Sequence, residues 1–126
     1  MDELINYFRE LNAEFIEEES LVEDVEVPEI MCKFYEKIKY VNLPYGRIYN
    51  LETALDNSKR LPFSPDWFVF GQDNYYSYWI CFKRKTITGC YFTYWDHESG
   101  CSMEEPVWKD LLSFLKEVEE DANEGW

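Results

Sequence analysis

The chain has 126 residues and a formal net charge of −14, and 19% of its residues are aromatic. This length is typical of one domain, so we interpret residues 1–126 as a single domain with its own hydrophobic core. A chain this acidic lacks the clustered Lys and Arg side chains that phosphate contacts need, which argues against nucleic-acid binding. No apolar run approaches the length of a membrane span, so we expect no membrane insertion.

The negative charge is concentrated at the two ends of the chain. Residues 1–30 carry a net charge of −10, residues 31–101 one of +2, and residues 102–126 one of −6. Two explanations stay open. The acidic ends either serve solubility alone or bind a basic partner.

The cysteines indicate a reducing compartment. Cys32, Cys81, Cys90 and Cys101 show no C-x-x-C spacing, and the N-terminal residues Met-Asp-Glu-Leu are not a secretory signal. We therefore expect a cytoplasmic protein whose thiols are reduced, with no metal site among them. No glycine-rich phosphate-binding motif occurs, so we also expect no cofactor.

Taken in order, the chain opens with a predicted helix. Apolar residues at helical spacing place it from about Asp2 to about Phe15, and acidic residues in its first turn suit the helix dipole. A polar, acidic connection follows. Its carboxylates are Glu17, Glu18, Glu19, Glu23 and Asp24.

A second helix is predicted to start at Val27-Pro28-Glu29, because proline at the first helical position loses no hydrogen bond. Its apolar stripe ends near Lys39 or Tyr40, shortly before Pro44.

A short extended piece follows at residues 45–49. Asn50 is then placed to cap a helical turn over residues 51–55.

The central part of the chain predicts a three-stranded antiparallel meander. Aromatic and β-branched residues dominate 67–70, 75–83 and 90–95, and turn formers separate these runs. The middle run is apolar on both faces, so we expect that strand to be central and covered on both sides. Residues 71–74 are interpreted as a turn, in which Gly71 and Asn74 tolerate positive φ.

A last helix is predicted from about Glu105 to about Glu120. Ser102 and Glu105 match a capping box, and Pro106 suits a helix start. The acidic far end of this helix either frays or is kept acidic for a partner. The order of elements indicates an α+β fold, with a mostly antiparallel sheet and flanking helices.

Residues that could support catalysis are few. His97, the only histidine, lies between Asp96 and Glu98, but a metal site needs three or four convergent ligands. Cys101 could act as a nucleophile with His97 as base, yet no orienting partner accompanies the pair. A small hydrolase centred on Asp96, His97 and Cys101 is therefore kept only as an alternative.

A pair of carboxylates could also serve glycoside hydrolysis. Because the chain has 26 acidic residues, some pair must lie close, and proximity alone would mean little. The candidates are Asp66, Asp73, Asp96 and Glu98.

Four segments resemble the SUKH superfamily, the Smi/Knr-type proteins. Residues 27–35, V-P-E-I-M-C-K-F-Y, resemble its Leu-Pro-x-x-(Tyr/Phe)-x-x-Phe helix start, and residues 46–55 match Gly-x-Ile-(Tyr/Phe)-x-Leu-Glu-x-Ala. Residues 67–73 are similar to its core strand, and residues 108–115 to its terminal helix. The resemblance covers residues 25–120 and leaves 1–24 as a variable helix and acidic connection.

The resemblance implies an antiparallel sheet with flanking helices and no catalytic residues. Bacterial members of the family are regarded as immunity proteins that bind a co-encoded toxin domain, often a nuclease or deaminase, in the cytoplasm. Fungal members act as scaffolds in cell-wall synthesis and signalling, which is the alternative.

An acidic inhibitor suits a toxin with a basic, substrate-binding surface, because opposite charges speed association. We therefore predict that five carboxylates steer a toxin and that three aromatic side chains anchor it if they are exposed. The alternative for these aromatic side chains is that they belong to the core. The carboxylates are those of Glu17, Glu18, Glu19, Glu23 and Asp24, and the aromatic residues are Tyr75, Tyr76 and Trp95.

Overall fold

The computed structural model describes residues 2–22, 26–75, 77–96 and 105–124. These ranges contain four helices and six strands. They are α1 (Asp2–Glu10), β1 (Glu14–Phe15), α2 (Glu29–Tyr35), β2 (Val41–Leu43), β3 (Gly46–Ile48), α3 (Leu51–Ser58), β4 (Trp67–Asp73), β5 (Ser77–Phe82), β6 (Phe92–Asp96) and α4 (Leu111–Asn123).

The six strands form one antiparallel sheet in the order β1-β2-β3-β4-β5-β6, so each strand pairs with its neighbours in the chain. The predicted meander is confirmed as β4–β6, and the α+β class is confirmed for the described residues. The strands β1, β2 and β3 extend the meander and were not predicted as sheet partners.

Helices cover one face of the sheet almost completely. Phe70, Trp79 and Phe92 project from this face and meet Phe114 of α4, with ring centroids 5.8, 5.9 and 6.2 Å away. From α2, Tyr35 makes an edge contact with Phe68 at 6.4 Å. This face holds the larger part of the core, where all six of these aromatic rings are fully buried.

The other face is covered only in part, by α3 and residues 59–66. Ser58 accepts a hydrogen bond from the Val69 N–H at 2.8 Å and donates one to the Ala54 carbonyl at 2.7 Å, which fixes α3 on β4. Phe63 packs beside it on Tyr78 and Trp95. The part of this face formed by β2 and β3 exposes Asn42 and Arg47 to solvent.

Gly71 does not form the predicted turn. It lies within β4 opposite Trp79, and a Cβ there would overlap the Arg47 carbonyl oxygen of β3 and come 2.7 Å from the Trp79 ring. A Cβ at Gly46 would come 2.5 Å from the Gln72 carbonyl oxygen and 2.6 Å from the same ring. Both glycines therefore make room for a carbonyl of the neighbouring strand as well as for the Trp79 indole, and among the described glycines only Gly89 has positive φ.

The first helix ends earlier than predicted, at Glu10. Asn12 adopts φ 54°, and the backbone N–H groups of Asn12 and Ala13 bond to the carbonyls of Arg9 and Phe8 at 3.1 and 3.0 Å. This is a Schellman termination, in which Asn takes the left-handed position. Phe15, predicted as helical, lies in β1 and packs on Phe8.

The second helix is also shorter than predicted and ends at Tyr35. The chain makes one more turn through Ile38, whose N–H bonds to Phe34 at 3.0 Å, and then enters β2. The apolar residues predicted for this helix thus lie in α2 and in the single turn that follows it, before β2 begins.

The cap predicted at Asn50 is confirmed, since its side chain accepts the Thr53 N–H at 2.9 Å. The predicted start of the last helix is wrong. Asp110 caps α4 by accepting the Ser113 N–H at 2.7 Å. Trp108 instead pairs with Phe92 of β6 through two backbone hydrogen bonds of 3.0 and 3.1 Å, so the chain cannot be helical there.

Candidate binding surfaces

The acidic connection is an ordered, extended strip from residue 14 to residue 22. After β1, Ile16 exchanges backbone hydrogen bonds with Tyr40 and Lys39, and the Ser20 N–H bonds to the Tyr35 carbonyl at 2.8 Å. These bonds tie the strip to β2 and to the end of α2. We call residues 14–22 the acidic strip.

Three of the predicted carboxylates lie exposed on this strip. Glu17 lies 3.8 Å from Arg9, and Glu18 lies 3.8 Å from Lys39. All four side chains are about half exposed, and such surface pairs contribute little to stability. Glu19 has no ion-pair partner within the described ranges. Glu23 and Asp24 lie outside the described residues.

Helix α1 joins the acidic strip to α4. Tyr7 bonds to Tyr45 at 2.6 Å and to Glu119 of α4 at 3.3 Å, whereas Arg9 approaches Glu17. Residues two apart on a helix project in nearly opposite directions, so α4 and the strip flank α1. The exposed carboxylates of α4 extend the negative surface beyond α1. They include Glu117, Glu120 and Asp121.

The predicted aromatic anchors do not form one surface with the strip. Trp95 is only 8% exposed, because it lies under Phe63 at 5.1 Å and stacks on Tyr78 at 6.1 Å. Trp95 is therefore a core residue, and the exposure on which its role as an anchor depended is not met. Tyr75 is 55% exposed, and Tyr76 lies outside the described residues.

Tyr75 lies at the far end of the sheet from Glu17. It follows Asp73, which pairs with Gly46 beside the β2–β3 turn, and the Asn74 side chain bonds to Pro44 in that turn at 2.8 Å. The acidic strip runs the other way along β2, towards Lys39. The structure thus separates Tyr75 from the acidic strip.

The exposed apolar side chains on the strip were missed by sequence reasoning. Ile16 is 40% exposed and Leu21 is 78% exposed, on either side of the three glutamates. Their signal was present in the chain, because both interrupt an otherwise acidic connection. The strip therefore combines carboxylates with apolar side chains.

Of the residues considered for catalysis, the structure describes Asp66, Asp73 and Asp96. Asp66 precedes β4 and pairs with Arg84 at 3.0 Å, whereas Asp73 ends β4 and accepts the N–H groups of Tyr75 and Ser77. A seven-residue strand separates these two carboxylates by about 20 Å, too far for a glycosidase pair.

Asp96 ends β6, and His97, Glu98 and Cys101 lie outside the described residues. In the described part of the chain, no three His, Cys, Asp or Glu side chains are grouped to hold a metal ion.

A second surface feature is a groove of about 510 Å³ between α3 and the exposed side of β2 and β3. We call it the Arg47 groove. In register, Asn42 lies opposite Arg47 and Arg47 lies opposite Gln72, so three polar side chains form one row across the strands. The polar lining includes Asn42, Arg47, Tyr49, Asn50, Asn57 and Gln72.

The floor of the groove is formed by Tyr49, whose hydroxyl donates a hydrogen bond to Gln72. Burial raises the pKa of Tyr49 to about 12, and nearby Tyr78 adds to this, whereas Arg47 and Arg60 oppose it. Sequence reasoning missed the groove because β2 was not predicted.

Comparison of the chain with protein-family models, with curated proteins and with solved structures found no match. Within the described ranges, no helix is both long and apolar enough to cross a membrane. The SUKH resemblance thus depends on the sequence segments alone.

Proposed function

We propose that this chain is a non-catalytic immunity protein that binds and neutralises a toxin domain with a basic surface, such as a nuclease or deaminase. This role follows from the SUKH resemblance, and it would be exercised in the cytoplasm of the producing cell. The observation that carries the proposal is that Glu17, Glu18 and Glu19 are all exposed on a short segment held by backbone hydrogen bonds at Ile16 and Ser20 on either side.

Charge supports this role in two ways. A negative surface attracts a basic partner and can raise association rates by about 10- to 1,000-fold. A carboxylate row would also compete with the phosphates of a nucleic-acid substrate for the same basic residues. Because the strip is already extended and hydrogen-bonded, less conformational entropy is lost when it binds.

The apolar side chains of the strip complete the proposed interface. Interfaces commonly have an apolar centre and a charged rim, and carboxylates alone raise the association rate more than the affinity. Ile16 and Leu21 could supply the apolar contacts that the buried Trp95 cannot. We therefore place the interface on the acidic strip and not on the β4–β5 turn.

The test is a binding series between this protein and a toxin domain encoded beside its gene. The variant E17Q/E18Q/E19Q should lower the association rate by about tenfold at low salt, and the difference should shrink as salt rises. The control E52Q/D56N/E105Q removes the same charge from exposed sites elsewhere and should change the rate by less than about twofold.

Three results would count against parts of the proposal. Absence of binding at every salt concentration would reject immunity for that toxin. Equal losses in the two triple variants would reject the strip as the interface, since only net charge would matter. Unchanged affinity in I16S/L21S would reject these apolar side chains as part of the interface.

A further inference from the structure

The Arg47 groove differs in charge from the rest of the surface. None of the described residues that line it is Asp or Glu, although the chain carries a net charge of −14. Arg47 is exposed and has no ion-pair partner within the described ranges. An unpaired guanidinium with its planar set of donors is suited to bind a carboxylate through two parallel hydrogen bonds.

Two amide side chains in the groove are oriented by hydrogen bonds. The Tyr49 hydroxyl donates to Oε1 of Gln72, and the Thr53 N–H donates to Oδ1 of Asn50 at 2.9 Å. Since each carbonyl oxygen is engaged, each amide leaves its NH₂ group as a donor for a ligand. The groove thus presents donors in fixed orientation on both walls.

A third amide is oriented in the opposite sense. Nδ2 of Asn57 donates to the Thr53 carbonyl at 2.9 Å, which leaves the Asn57 side-chain oxygen as an acceptor. A ligand that fits the groove therefore accepts hydrogen bonds at several points and donates at one or more. A peptide backbone has this combination, because each residue other than proline carries one acceptor and one donor.

Other ligands fit these groups less well. A phosphate group has strong acceptors and is usually held by several cations, whereas Arg47 is the one lysine or arginine in the described lining. A second copy of this chain would bring another charge of −14 against the neighbouring Glu14, which accepts a hydrogen bond from Tyr40 at the rim.

We propose that the Arg47 groove binds an extended peptide segment of a partner protein, with an aspartate or glutamate side chain of that segment on Arg47. The amides of Asn50 and Gln72 bind peptide carbonyls, and the oxygen of Asn57 accepts a peptide N–H. This site is separate from the acidic strip, and its test does not involve the proposed toxin.

The experiment is a titration of the ¹⁵N-labelled full chain, followed by amide chemical shifts. The probes are the blocked peptide acetyl-Ala-Ala-Glu-Ala-Ala-amide, the same peptide with glutamine at its centre, and inorganic phosphate. We expect saturable shifts for Arg47 and for the side-chain NH₂ groups of Asn50 and Gln72 with the acidic peptide. The glutamine peptide should bind at least about fivefold more weakly, because it lacks the charged acceptor.

Three variants distinguish the effect of the Arg47 guanidinium on peptide binding from the effect of the protein's net charge. Arg47→Ala should weaken binding of the acidic peptide by about tenfold, and Arg47→Lys should restore only part of it, because lysine lacks the planar fork. Arg84→Ala removes the same charge from an exposed arginine outside the groove and should leave binding unchanged. The amide spectrum of each variant reports whether it is folded.

The proposal is overturned by any of four results. These are no saturable shift up to about 10 mM peptide, equal binding of the glutamine peptide, equal losses in the Arg47→Ala and Arg84→Ala variants, or the same shifts with phosphate alone. The last result would identify a simple anion site in place of a peptide site.

Discussion

At the residue scale, the position of Trp79 helps to explain why residues 46 and 71 are glycines, which composition could not. Its ring is 1% exposed and lies against Gly46, Gly71 and Phe114, so it joins three strands to α4. In the sequence Gly71 reads as a turn residue, because glycine is the commonest residue at turns. Its role became evident only when β4 and β5 were paired.

Gly71→Ala should therefore destabilise the protein by about 1–3 kcal/mol, the usual cost of overpacking a core. The free energy of unfolding in urea measures this loss. Combination with Trp79→Leu should cost less than the sum of the two single variants, since the smaller side chain relieves the clash with the ring and only the contact with the Arg47 carbonyl oxygen remains.

Gly89→Ala is the matched control. Gly89 has φ 74° and open space around its Cβ position, so its cost, about 1 kcal/mol, comes from backbone conformation. In the double variant, the loss of unfolding free energy from Gly89→Ala should add to the loss from Trp79→Leu. If the loss for Gly71→Ala is also additive, Trp79 is not the residue that requires glycine.

At the scale of elements, local capping signals compete with pairing in the sheet. Ser102, Glu105 and Pro106 form a plausible helix start, yet residues 107 and 108 bond to Phe92 and the helix begins only after Asp110. Asn50 met no such competition, and its cap formed where the sequence placed it. Capping motifs are local, whereas the bridge to β6 depends on residues distant in the chain.

Asp110→Ala should thus cost about 1 kcal/mol of unfolding free energy, because it removes the acceptor for the Ser113 N–H. Asp110→Asn should retain most of the stability, since Asn caps equally well. Glu105→Ala, the control at the other possible start, should change stability by less than about 0.5 kcal/mol. A larger loss at Glu105 than at Asp110 would contradict the observed start of α4.

At the scale of the whole molecule, hydroxyl groups buried in the core connect distant elements. Tyr7 and Tyr45 join α1 to the β2–β3 hairpin, and Tyr35 donates to the Tyr49 carbonyl at 2.8 Å. Burial raises the pKa of Tyr7, Tyr35 and Tyr45, and it raises that of Tyr49 to about 12. In the unfolded chain, tyrosine ionises near pH 10.

The contribution of these tyrosines to the free energy of unfolding should therefore be fully present below about pH 10 and should decrease as the pH rises further. The reason is that unfolded tyrosine loses its proton first, which favours unfolding. For Tyr49 the slope between pH 10 and 12 is at most about 1.4 kcal/mol per pH unit.

The comparison is made by urea unfolding of the unchanged protein and of Tyr49→Phe at pH 9, 10 and 11. Tyr49→Phe should flatten the decline between pH 10 and 11. An unchanged slope in Tyr49→Phe would contradict the raised pKa of Tyr49.

Much of the architecture could be read from the chain. Aromatic and β-branched runs predicted β4–β6, and apolar spacing predicted α1, α2 and α4, because both patterns are repeated over several residues. The cap at Asn50 predicted α3. The charge of the acidic strip was also evident. Its ordered conformation was not, since it depends on backbone hydrogen bonds to residues of β2 and α2.

The sequence by itself determined the α+β class, the meander and the sign of the charge on the chain's ends. The tertiary structure alone decided the pairing of β1–β3, the burial of Trp95 and the Arg47 groove. Strands of two or three residues carry too short a pattern to predict. A side chain in a strand becomes core or surface only when something covers its face, as Phe63 covers Trp95 and nothing covers Arg47 among the described residues.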